Sequence, residues 1–374
     1  MSAGNDQSVL TESLRRFAAV VTEFGGSFPE LRAPGRQIDT AEGYRLFLRY
    51  LTIGLDQFVE HADPAFPAFY QKSRDGVRKY AGDSPAQIYD SCPVSSRYEY
   101  EVTGNLAETA LIELTVYSGD FSGSNPRPRR LVSSLTDEEL HVSADGDFTI
   151  RLAENATGPN TLALDDDCTA LSVRRYLRDP RRDKPRPLAV RRVGAGPERP
   201  VLSTDALRDS MIRAAQFAAH NATIWAQWVA AARDSKMNVL VSMHDSGDIF
   251  TPRGHRYLDG YWSIPENRAL TIAFTPPEGA YWSFVPMNFW MESFEWRFGN
   301  RVYATSLDTE PGPDGVVRLV LSAIDPLLDD HLWIDTDGHT QGVMALRFGR
   351  CVTDIADARV ESINLGGRLS PVHR

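Results

Sequence analysis

The chain has 374 residues, more than one hydrophobic core usually organises, so two domains are expected. With 42% hydrophobic and 24% charged residues it has the composition of a soluble globular protein, and no apolar run reaches the roughly 18 to 20 residues a membrane helix needs. A formal net charge of -10 argues against a general nucleic-acid binder, whose affinity rests on cationic contacts to phosphate.

The opening MSAGNDQSVLTESLRR lacks a cationic start followed by an apolar core, which reads against a secretory signal. Cys92, Cys168 and Cys351 are scattered, without zinc or redox spacing. A reduced, cytoplasmic protein without a cofactor is the expectation.

In chain order, Val9, Leu10, Leu14, Phe17, Ala18 and Val21 recur at helical spacing from Asp6 to Phe24, and Gly25-Gly26 stops the pattern. Asp39 or Thr40 caps a second helix with a broad apolar stripe through Tyr44, Phe47, Tyr50, Leu51 and Phe58. An irregular segment through HADPAFPAFY follows, with His61 read as a helix-end residue, so residues 1–85 form a helical N-terminal segment.

After Pro85 come short alternating runs such as RYEYEVTGN, TALIELTVYSG and GDFTIRLA, separated by turn residues, which predict an antiparallel β-sandwich over 86–200. Within it, Thr136–His141 reads as a short helical insertion and Asp145-Gly146 as a hairpin turn. Asp165, Asp166 and Asp167 lack further spaced oxygen ligands and read as a solvated loop. The basic island Arg174–Arg192 reads as solvated strand ends and loop.

Residues 201–237 form a helical connector, capped by Ser203 or Thr204 and running to about Arg233, with His220 structural. Residues 238–374 return to strands. His244, Asp245, Asp248 and His255 fit no helix-borne metal pair, and no metal is assigned. Asp337-Gly338 is read as a two-residue hairpin turn that sets Thr336 opposite His339 and makes Asp335 a diagonal neighbour of that histidine.

Tyr281–Arg297, YWSFVPMNFWMESFEWR, mixes aromatics with an amide, two carboxylates and an arginine. A strand this long is expected to break near Pro286, and Asn288 and Glu292, four apart, share a face whether the middle is extended or helical. A carboxylate among tryptophan and phenylalanine is expected to hold its proton more tightly, which suits an acid or base near neutral pH. The candidate catalytic groups are therefore Glu292 and His339, with Asp335 orienting the histidine. Asn288, Trp282, Trp290, Arg297, Tyr281 and Tyr261 are the candidate substrate-binding residues. Each has a plainer reading: a salt bridge from Glu292 or Glu295 to Arg297, a histidine stabilising a tight turn, an asparagine satisfying a broken strand, and tryptophans in the core.

YWSF...NFWMESFEWR, followed by Asp325-Pro326 and WIDTDGHTQGVMALRFGR, resembles a bacterial family of uncharacterised proteins carrying the domain of unknown function numbered twelve-fourteen. TAEGYR at Thr40–Arg45, GDSP at Gly82–Pro85, the RYLRDP segment and GYW at Gly260–Trp262 share the family's look, so the resemblance covers most of the chain. Leu332 stands where the family commonly has Asn, and Glu295-Trp296 where it often has Asp-Tyr. The resemblance implies a C-terminal jelly-roll-like sandwich and no settled activity.

The expected fold class is α+β, mostly β: a helical N-terminal segment with two jelly-roll-like antiparallel β-sandwiches joined by a long helix. The expected function is a cofactor-independent lyase, isomerase or hydrolase using acid/base chemistry on a hydrophobic or aromatic oxygenated small molecule. The alternative is a non-catalytic small-molecule or carbohydrate-binding β-sandwich protein. A third reading makes exposed tryptophans a homo-oligomer contact. No G-x-S-x-G elbow, P-loop or dinucleotide fingerprint is present.

Overall fold

A computed structural model describes residues 3–74, 76–119, 129–194, 196, 201–243, 254–299, 301–351 and 353–365. The helices are α1 (Ala3–Ser27), α2 (Gln37–Leu55) and α3 (Thr204–Ser235). The Ser203 hydroxyl accepts from Ala206 N at 3.1 Å and caps α3, as its sequence predicts. Beyond α2 the chain makes one π-helical turn, Asp56–Glu60, closed by His61 N donating to Asp56 O at 2.9 Å. Among the described residues no helix is long and apolar enough to cross a membrane.

The strands of the first half are β1 (Tyr70–Ser73), β2 (Gln87–Pro93), β3 (Tyr100–Asn105), β4 (Leu111–Ser118), β5 (Arg130–Thr136), β6 (Asp147–Glu154), β7 (Thr161–Leu164), β8 (Cys168–Tyr176) and β9 (Ala189–Arg192). Those of the second are β10 (Val241–Ser242), β11 (Arg256–Ser263), β12 (Arg268–Phe274), β13 (Tyr281–Pro286), β14 (Ala304–Thr305), β15 (Val317–Ser322), β16 (Leu332–Asp335), β17 (Gln341–Gly349) and β18 (Arg359–Asn364).

Each half is a sandwich of a five-stranded and a four-stranded sheet. The first pairs β1-β2-β8-β4-β5 with β7-β6-β3-β9; the second pairs β10-β11-β17-β13-β14 with β16-β15-β12-β18. Adding nine to every label of the first half reproduces the second, including the parallel ladders β6·β7 and β15·β16 in otherwise antiparallel sheets. One topology has been built twice, with no repeat visible in the residues.

Burial follows from position in these sheets. Every residue of β4 and β13 is buried, as befits central strands covered on both faces. In β6, Phe148, Ile150 and Leu152 point inward while Asp147, Thr149 and Arg151 face water. The first core gathers Val102, Leu114, Ile150 and Val173, and the second Leu258, Leu270, Leu319 and Leu346.

The chain divides into two compact units. The first compact unit comprises Met1–Arg32, Ala41–Tyr80 and Ala86–Ile224, so the N-terminal helices belong with the first sandwich. The second comprises Ala33–Thr40, Ala81–Pro85 and Trp225–Arg374, so α3 is shared and two short upstream segments serve the C-terminal sandwich. Within the predicted insertion Thr136–His141, Thr136 ends β5 and the rest is turn and coil rather than helix, and β1 lies inside the stretch read as helical. Arg175, within the basic island, is buried against Asp90 at 2.7 Å instead of solvated. Burial raises the Asp90 pKa, and the Arg175 guanidinium opposes that rise.

Candidate functional site

β13 ends at Pro286, where the expected break occurs, and the chain turns back so that Met287 bridges to Ser293. Asn288 sits inside this turn. Its Oδ1 accepts from Trp290 N at 2.9 Å and Glu292 N at 3.0 Å, its Nδ2 lies 3.4 Å from Glu292 Oε2, and its own N donates to Glu292 O at 3.0 Å. Asn288 and Glu292 are only 2% and 1% exposed. The two residues thus do meet, with the amide supplying acceptors that a broken strand lacks.

The turn is fastened by the short segments that the C-terminal unit recruits from upstream. Trp290 Nε1 donates to Asp39 O at 2.7 Å. Ser293 donates to the Asp83 carboxylate through N at 3.1 Å and Oγ at 2.6 Å. Gly82 N donates to Met291 O at 2.8 Å, and Arg347 donates to Gly82 O at 2.6 Å. Beneath the turn, a Cβ on Gly342 would stand 2.0 Å from Met287 O, so only glycine lets this main chain lie on β17. Trp262 Nε1 donates to Met287 O and Val343 O, each at 3.1 Å. The GDSP, GYW and DGHTQG stretches that carry the resemblance are therefore partners in one anchored loop.

His339 stacks on Phe294, with centroids 4.8 Å apart. Asp337 and Gly338 have φ of 50° and 77°, the geometry of a type I′ turn, and His339 N donates to Thr336 O at 2.9 Å. The turn passes the chain from β16 to β17, which lie in different sheets, rather than joining a hairpin. His339 Nδ1 lies 3.2 Å from Thr336 O and 3.0 Å from Asp337 O, which makes Nδ1 the donor in the neutral ring and leaves the lone pair on Nε2. Asp335 Oδ1 accepts from Asp337 N at 3.0 Å. Asp337 Oδ2 in turn accepts from Glu295 N at 3.1 Å, tying the turn to the loop.

The remaining predicted residues have separate places. Trp282 is a core residue, edge-on to Phe274 at 5.1 Å, and Tyr281 is buried beside it at the start of β13. Tyr261 donates to Gln341 Oε1 at 2.8 Å, and burial pushes its hydroxyl up to about 12. Arg297 is exposed and forms a bidentate pair with Glu295 at 2.8 and 2.7 Å. Trp282, Trp290 and Trp296 are all buried, so they offer no exposed patch for a second copy. His244, Asp245 and Asp248 lie outside the described residues, while His255 is buried near Gly349. Arg130 bridges Asp165 and Asp167, which lie in one acidic group with Asp166.

A cavity of about 240 Å³ lies in the first sandwich, where sequence reasoning placed no site. The π turn brings Gln57, Phe58 and His61 to it, α3 brings Arg213, and the facing ends of β2 and β8 bring Pro93 and Ala170. Tyr100 fixes the rim: its hydroxyl donates to Pro64 O at 2.9 Å and accepts from Ser95 N at 3.0 Å. Tyr70 stacks on His61 with centroids 5.0 Å apart, and burial holds its phenol in the neutral form. Cys92 and Cys168 also reach the lining; burial pushes the Cys168 thiol up to about 11 and raises Cys92 further, so both are protonated at neutral pH. The end of the α2 stripe at Asp56-Gln57 was the one local signal, since polar residues there interrupt an apolar face.

The fold and this cavity define a double β-sandwich protein with a polar-lined pocket among the described residues of its N-terminal half. Neither a family model nor a curated protein matches the chain. Among solved structures it is similar to an uncharacterized protein from Burkholderia cenocepacia, with a TM-score of 0.89, 26% identity, and coverage of 96% of this chain and 99% of that one. A protein from Vibrio parahaemolyticus gives a TM-score of 0.47 at 11% identity over 86% of this chain and 97% of its own.

Proposed function

We propose that the protein binds a small, oxygen-bearing organic molecule in the N-terminal sandwich without transforming it. The observation that carries this reading is the cavity at the β2/β8 end, considered beside the equivalent end of the other sandwich. In the first half Cys92 pairs with Leu171 and Pro93 with Ala170, and Val94 N donates to Thr169 O at 3.2 Å. In the second half Trp262 pairs with Gly342 and Ser263 with Gln341, and Ile264 N donates to Thr340 O at 2.8 Å. Trp262 and Gly342 are thus the counterparts of Cys92 and Leu171. A large ring and a bare backbone draw the 287–293 turn across one sandwich end; a small thiol and a leucine accompany a cavity at the other. Concave, mixed polar and apolar lining is the usual character of ligand sites.

Ligand-observed NMR against a panel of aromatic and aliphatic oxygenated compounds tests this. Binding lost in Ala62→Trp and Ala170→Trp, with folding retained, is expected. A panel without a binder, or binding indifferent to both substitutions, contradicts it.

A second reading keeps acid/base catalysis at Glu292 and His339, as a lyase, isomerase or hydrolase. It is supported by the burial of both side chains. Glu292→Gln and His339→Asn that fold normally but lose turnover of a bound compound would favour it. We also propose membership of the family carrying the domain of unknown function numbered twelve-fourteen, on the motifs that meet around Asn288.

A further inference from the structure

We propose that the ligand of the N-terminal cavity is a hydroxylated aromatic carboxylic acid; this rests on the reading of that cavity as a binding site. The charge of its lining is the first argument. Among the described residues Arg97 and Arg213 reach it and no aspartate or glutamate does, in a chain whose formal net charge is -10. A cationic lining in an acidic protein selects an anion, and guanidinium groups match a carboxylate by shape as well as charge. The Arg213 guanidinium lies over the Phe58 ring at 4.4 Å from its centroid, which sets its plane beside the cavity wall.

The second argument is an unmet hydrogen bond. Gln57 Oε1 is buried and has no hydrogen-bond partner among the described residues. The π turn delivers this side chain to the lining, and π turns recur where a helix serves a site. A buried amide oxygen without a donor is destabilising, and a ligand hydroxyl relieves that cost. If the amide is rotated by half a turn, the hydroxyl accepts instead, so one ligand group suits both orientations.

The body of the ligand follows from the walls. Phe58, the stacked His61 and Tyr70 rings, and Pro64 and Pro93 present flat apolar surfaces, and a cavity of about 240 Å³ admits a compact ring rather than a long chain. Neutral thiols and a neutral phenol in the lining add no anionic repulsion.

Calorimetric titration with 4-hydroxybenzoate, its neutral counterpart 4-hydroxybenzamide, benzoate and phenol tests the class. The acid is expected to bind at least about 10-fold more tightly than the amide, the preference disappearing in Arg213→Gln and returning in Arg213→Lys, as one lost charged hydrogen bond of about 1.5 kcal/mol or more requires. Gln57→Leu is expected to erase the advantage of 4-hydroxybenzoate over benzoate. Melting curves establish that each variant folds. If the amide or phenol binds as tightly as the acid, the ligand class is wrong while the cavity remains a binding site. If none of the four binds wild type at millimolar concentration and the wider panel also fails, the binding reading falls and this inference with it.

Discussion

The two sandwiches share every strand connection and differ in how one sheet end is filled. In the C-terminal sandwich, Gly342 removes a side chain that would stand 2.0 Å from Met287 O, and the loop that settles there satisfies its polar groups internally. In the N-terminal sandwich, Leu171 occupies the matching position, and a polar-lined cavity lies at that end. On the proposed reading, function is decided by which copy of a repeated topology is closed with its own chain and which keeps space for another molecule.

The largest expected effect strikes the closed end. Gly342→Ala forces main chain apart and is expected to cost about 4 kcal/mol or more by urea unfolding, whereas Leu171→Ala at the matching position removes methyl groups and costs about 2 to 4 kcal/mol. Asn288→Ala strips the acceptor from two buried N–H groups and is expected to cost about 3 kcal/mol, while Glu292→Gln, which keeps the shape, costs about 1 kcal/mol or less. A loss for Glu292→Gln as large as that for Asn288→Ala would break the view that the amide organises the turn.

Alkali separates the halves more gently. Tyr70, Tyr80, Cys92, Tyr100 and Cys168 in the N-terminal unit all have raised pKa values from burial, Cys168 to about 11 and Tyr80 to about 12; in the C-terminal unit Tyr261 is raised to about 12. A folded pKa above the unfolded one means the native state holds more protons between the two values, so stability falls as pH rises through that window. Melting temperature is therefore expected to drop steeply from about pH 9 to 12, with local probes showing the N-terminal sandwich lost first. The smallest effect concerns Cys168 alone: its alkylation rate should keep rising to about pH 11 rather than levelling near the usual thiol range, and cavity occupation should slow it.

Much of this architecture is legible in local residue patterns. The Ser203 cap, the break at Pro286 and the Asp337-Gly338 turn each depend on neighbours in sequence, and each appears where its residues predict. The plainer reading of Asn288 also follows from chain logic, since a strand stopped by proline needs acceptors. What local pattern does not carry is long-range. The partners of Trp290 and Ser293 are Asp39 and Asp83, more than two hundred residues upstream, and no period marks them. The short strands β1 and β7 give too few alternations to read. The cavity gathers residues from β1, β2, β8 and α3, with a π turn that no propensity announces. Matching strand order in the two halves is invisible because the residues filling equivalent positions, Cys92 and Trp262, have nothing in common.

The division between an open and a closed sandwich is tested most directly by titrating 4-hydroxybenzoate into wild type, Ala62→Trp and Glu292→Gln. The expected result is binding by wild type and Glu292→Gln with equal affinity, and none by a folded Ala62→Trp. Binding that survives Ala62→Trp and vanishes in Glu292→Gln would place the ligand at the C-terminal loop and contradict this division.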